Sequence, residues 1–148
     1  MFWIDFLIFL SACMAAGLTG SLFPPGKWYS DLHKPRWTPP NWIFPVAWPI
    51  LYILMSYSGA TLANLENSGS ALALWALQIA INTLWTPVFF GLKNIKVGLI
   101  IILLLLVSVL VSTCVFWLYS SLAAVLFLPY LAWVAFAATL NAAVFRLN

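Results

Sequence analysis

Five runs of about 20 mainly apolar residues, at roughly 2–23, 42–63, 71–90, 97–118 and 122–145, constrain this chain more than any other feature. Each run is long enough to cross the hydrocarbon of a bilayer as a helix. No water is present there to bond a backbone left open by any other shape. Composition agrees: hydrophobic residues make up 65% of 148 and charged residues 6%, too little polar surface to cover a soluble domain. The expected fold is an all-α membrane protein, a bundle of five transmembrane helices forming one domain over 1–148, with no linker composition to divide it. The first run lacks a basic leader and carries Asp5, so it reads as a helix and not as a cleaved signal.

The runs leave a long loop at 24–41, shorter ones at 64–70 and 91–96, and a tight turn near 119–121. With five helices, all six basic residues (Lys27, Lys34, Arg36, Lys93, Lys96, Arg146) fall on one side, while Asp5 and Glu66 lie on the other. The positive-inside rule then places the C-terminus in the cytoplasm and the N-terminus away from it. Charges confined to segment ends orient a membrane protein and give no surface for nucleic acid. Cys13 and Cys114 each sit inside an apolar run, where a thiol acts as a small hydrophobe.

No metal or hydrolytic constellation is visible. His33 is the single histidine, lying among loop charges, and Asp5, Asp31 and Glu66 are scattered over different segments. No cofactor is required by any motif. Small residues recur at helical spacing as Ala12, Ala16 and Gly20 on the first helix and as Ala73, Ala76 and Ala80 on the third. Such stripes let helices approach closely in lipid, either within the bundle or at the seam of a homodimer.

Aromatic residues and amides share helical faces. Trp48, Tyr52 and Met55 do so on the second helix, Gln78, Asn82, Trp85 and Phe89 on the third, and Trp133, Ala137 and Asn141 on the fifth. Amides at membrane depth are costly unless they face the bundle interior or pair between helices, so these faces are expected to converge. The product is an apolar pocket lined by indoles, suited to a flat, largely hydrophobic ligand; the plainer alternative is interhelical hydrogen bonding and core filling. Pro45, Pro49, Pro87 and Pro129 are expected to bend their helices and open space. Loop 24–41, with five prolines among Trp28, Tyr29, Trp37 and Trp42, reads as a rigid lid over that space.

Three segments carry a family resemblance: WYSDLHKPRWTPPNWIFPVAWPILYILM (28–55), QIAINTLWTPVFFG (78–91) and PYLAWVAFAATLN (129–141). In this order, over nearly the whole chain, they resemble the TspO/MBR family, also called translocator proteins or peripheral-type benzodiazepine receptors. The resemblance implies a usually dimeric five-helix protein with a cavity beneath the first loop for porphyrins such as protoporphyrin IX, benzodiazepine-type drugs and, in animals, cholesterol. It also implies that the tryptophans proposed in some members to support light- or oxidant-dependent porphyrin breakdown are Trp48 and Trp133. The drug-contacting alanine is Ala137, with Asn141 as the neighbouring amide. Two departures stand out. The sterol pattern needs a tyrosine before a basic residue, but Ala142 and Ala143 precede Arg146, so high-affinity sterol binding is not expected. Val97 replaces an aromatic residue of the animal proteins.

The functional expectation is a membrane receptor or carrier for porphyrins or haem-type tetrapyrroles. Its alternatives are a porphyrin-degrading enzyme using Trp48 and Trp133, and a small-molecule transporter. The short C-terminus resembles that of bacterial members, so the expected location is a bacterial inner membrane, with the mitochondrial outer membrane as the alternative.

Overall fold

The computed structural model describes residues 1–148. Its spanning helices are α1 (Phe2–Leu22), α3 (Ile43–Ala63), α4 (Gly69–Thr86, prolonged by a wide π turn Pro87–Gly91), α5 (Ile95–Tyr119) and α6 (Ser121–Leu147). A short helix, α2 (Lys27–Asp31), lies inside the first loop, where the sequence reading has only loop. All five are long and apolar enough to cross a membrane, and the chain is a multi-pass membrane protein. Large apolar side chains such as Ile50, Leu84, Leu104 and Val107 stand on the outside, as lipid as solvent demands. Exposed Trp3 and Trp117 at one end and Trp42 at the other fit the interfacial aromatic belts of a spanning bundle.

Helices α5 and α6 pack along their length after a turn that breaks helical geometry at Ser120 alone, whose hydroxyl accepts from the Ala123 amide. Side-chain donors to backbone carbonyls fasten other helix pairs. The Trp75 indole N–H donates to the Met55 carbonyl at 2.9 Å, and the Ser58 hydroxyl donates to the Ala123 carbonyl at 2.9 Å. At the acidic end the Asn64 amide donates to the Asp5 carboxylate at 2.9 Å, closing α1 against α3. A β-carbon on Gly17 would come within 2.9 Å of the Tyr52 ring, so that glycine lets α1 approach the site-bearing face of α3.

The prolines divide. Pro45 lies in the first turn of α3, where its missing N–H removes no helical bond, and α3 and α6 run unbroken through Pro49 and Pro129. Pro87 alone changes the geometry: it opens the π turn, closed by the Leu92 amide donating to the Pro87 carbonyl at 2.9 Å. The two small-residue stripes also divide. Ala16 is buried and Ala12 half-buried within the bundle while Gly20 of the same stripe is exposed, whereas Ala73, Ala76 and Ala80 all face outward.

Candidate ligand site

The inward faces of α3, α4 and α6 converge beneath the first loop. Trp48 of α3 lies 5.4 Å from Tyr52, 6.3 Å from Tyr130 and 6.5 Å from Trp133, the last pair nearly perpendicular at 84°. Trp133 continues the cluster to Phe44 at 5.8 Å and Phe136 at 6.0 Å. Trp37, from the loop, sets its ring edge to face with Phe136 at 5.8 Å. A line of rings thus runs from the half-exposed loop to the buried Tyr130, mostly in the edge-to-face arrangement that aromatic quadrupoles favour, with the Phe136–Trp133 pair tilted at 41°.

A second cluster grows from the π turn. Trp85 stacks on Phe89 at 5.0 Å and 16° and meets Phe90 at 5.6 Å. Trp28 and Tyr29 of the loop reach the same phenylalanines. Gly98 of α5 makes room for it, since a β-carbon there would lie 2.8 Å from the Phe89 ring. Burial pushes the Tyr29 phenol above its ordinary range.

Amides join the clusters. The Asn82 Nδ2 donates to the Tyr130 hydroxyl at 2.8 Å, and the Trp85 indole donates to Asn141 Oδ1 at 3.3 Å. Asn141 Nδ2 donates onward to the Ala137 carbonyl at 2.8 Å, one turn back along α6. The structure therefore brings Trp37, Trp48, Tyr52, Asn82, Trp85, Phe89, Trp133, Ala137 and Asn141 into one connected wall. Gln78 stands apart: it is fully buried on the same face of α4, but its amide has no hydrogen-bond partner in the protein.

The rings pack against one another, and two clefts open beside them at the basic end. One, of about 450 Å³, runs between Trp37 and the Thr139–Leu147 face of α6; the other, of about 330 Å³, lies between the Leu92–Lys96 turn and the end of α6. The loop above them is braced near its middle. Lys34 Nζ donates to the Tyr29 and Leu32 carbonyls at 2.6 and 3.2 Å and sits 4.5 Å over the Tyr29 ring. Asn148 grips the loop backbone: its Oδ1 accepts from the His33 amide at 3.0 Å, and its Nδ2 donates to the His33 carbonyl at 2.8 Å.

Sequence reasoning missed Tyr130, Phe44 and Phe136. Tyr130 precedes Trp133, Ala137 and Asn141 by three, seven and eleven residues, so helical spacing alone puts it on their face.

The sequence model of the TspO/MBR family matches residues 9–147. The chain is 49% identical to "Protein CrtK" of Rhodobacter capsulatus over 97% of its own length and 92% of that protein. It is 47% identical to the "Tryptophan-rich sensory protein" of Cereibacter sphaeroides, over 100% of its own length and 94% of that protein. It is 37% identical to the human "Translocator protein", over 99% of its own length and 91% of that protein.

Proposed function

The chain belongs to the TspO/MBR family of membrane sensory and translocator proteins, and from that premise we propose that it is a receptor or carrier for porphyrins. The observation that supports this reading best is the Trp48–Trp133 pair. Two half-buried indoles stand nearly at right angles, so a flat macrocycle can lie on one face while the other ring closes its edge. Asn82 and Asn141, whose amides keep bonding capacity beyond the bonds they make, supply the few polar groups that fix orientation in such a site, and Trp37 and the clasped loop cover it. No resident cofactor is invoked; the porphyrin is the ligand. High-affinity sterol binding is no part of this reading, for want of the tyrosine before Arg146.

The protein works, on this reading, in a bacterial inner membrane, with the basic end and C-terminus in the cytoplasm. It pairs as a homodimer through the outward Ala73, Ala76 and Ala80 stripe of α4.

Purified protein titrated with protoporphyrin IX in the dark tests the proposal. Saturable quenching of tryptophan emission, weakened in Trp133→Phe, is expected; no saturable binding would refute it. A second reading, porphyrin breakdown through oxidisable rings, draws on the continuous run Trp133, Trp48, Tyr52. Illumination decides between them: products that require the protein and vanish in Trp48→Phe/Trp133→Phe favour an enzyme, and a stable porphyrin spectrum favours a binder.

A further inference from the structure

Four buried side-chain atoms have no hydrogen-bond partner within the protein: both amide atoms of Gln78 and the hydroxyl oxygens of Ser108 and Ser112. They belong to one place. Helices α4 and α5 are antiparallel, and two contacts fix their register: the Ser70 and Tyr119 hydroxyls are 3.3 Å apart at one end, and Phe89 lies against Gly98 at the other. From the first contact, Gln78 lies about 12 Å along α4, while Ser112 and Ser108 lie about 11 and 17 Å along α5, at 1.5 Å per residue. Gln78 is thus level with the span between the two serines. Ser112 and Ser108 precede Tyr119 by seven and eleven residues, which puts all three on the stripe of α5 that faces α4.

We propose that this seam is a buried water-binding site, in which Gln78, Ser108 and Ser112 share bound water at the centre of the bundle. The chemistry is complementary: an amide offers two donors and an acceptor oxygen, each hydroxyl donates and accepts, and a buried water makes about three bonds. Lipid supplies no other partner at this depth, and unpaired polar atoms there are costly. Every other amide of the inward faces, at Asn82 and Asn141, is paired within the protein, which singles out Gln78. The site also has a use. Asn82 and Trp85 follow Gln78 on the same face of α4, one and two turns on, so water between Gln78 and α5 sets the rotation at which α4 presents them to Tyr130 and Asn141. This holds whether or not the ligand is a porphyrin.

Gln78 is the one glutamine of the chain, so selective ¹⁵N labelling gives a single side-chain amide signal. In full-length protein in lipid nanodiscs, without ligand, that NH₂ is expected to show a through-space cross-peak to water that disappears in Ser108→Ala/Ser112→Ala. Gln78→Met should lower the melting temperature by several degrees, and adding the two alanines should lower it little further, because the shared water is already lost. Absence of the water cross-peak from wild type overturns the proposal, even if the mutations couple, since coupling alone would mean that the amide reaches the serines directly. A Gln78→Met protein that melts higher than wild type overturns it too. Should Gln78→Met fail to fold, the cross-peak and its loss in the serine variant decide alone.

Discussion

Asn82 Nδ2 and the Tyr130 hydroxyl meet at 2.8 Å with both side chains buried, bolting α4 to α6 at the level where Trp48 leans against the Tyr130 ring. Truncating one partner strands the other. Tyr130→Phe should destabilise the bundle by about 1–3 kcal/mol, the cost of leaving a buried amide unpaired, whereas Asn82→Leu/Tyr130→Phe should cost less than the sum of the single changes. Melting in detergent checks it; a Tyr130→Phe protein as stable as wild type would show that the amide readily finds another partner.

Ala137 sits half-buried between Trp133 and Asn141 on α6. A leucine there intrudes where a flat ligand would lie. Ala137→Leu is expected to weaken porphyrin affinity by about 1–3 kcal/mol while moving the melting temperature little. Early melting with normal affinity would place Ala137 in the packed core and remove it from the site.

The Asn148–His33 clasp ties the loop to the end of α6 and gives it a release point. Asn148→Ala removes bonds worth about 1 kcal/mol each, so the porphyrin off-rate should rise by roughly tenfold with little loss of stability. Replacing Pro39 and Pro40 by glycine should act in the same direction by loosening the loop itself. Stopped-flow release measures both, and an unchanged off-rate in folded variants would end the lid interpretation.

Tyr29 makes the loop sensitive to alkali. Burial raises its pKa in the folded state, so its contribution is complete below the ordinary tyrosine value of about 10 and is lost as pH climbs through the folded value. Loop protection against proteolysis should therefore fall above about pH 10, less steeply in Tyr29→Phe. Identical pH profiles for the two proteins would exclude Tyr29.

Single cysteines at Glu66 and Lys93, in a background lacking Cys13 and Cys114, test orientation. An impermeant thiol reagent added from the cytoplasmic side should label the Lys93 site alone. Labelling of both sites from one side would contradict the five-span path.

The spans were legible because lipid leaves a helix no freedom: apolar length set each boundary to within about two residues. The convergence of α3, α4 and α6 was legible for a similar reason, since Asn82 and Asn141 had to find partners. The helix at Lys27–Asp31 was not, because five residues carry no periodicity and its end is held by Lys34, a contact made only after folding. Tyr130 escaped because a tyrosine among apolar neighbours reads as core filling until its hydroxyl is seen to accept from another helix.

The wide turn at Pro87–Gly91 shifts the phase of α4. In an unbroken α-helix, residues four and five positions after Trp85 would diverge by about 100°, and only one phenylalanine could meet the indole. Here Phe89 and Phe90 both do, at 5.0 and 5.6 Å, and both carry loop aromatics on their far sides. The extra residue of that turn works as a spacer: a shortened chain that restored regular winding would leave α4 intact as a span while uncoupling the loop from the helices beneath it.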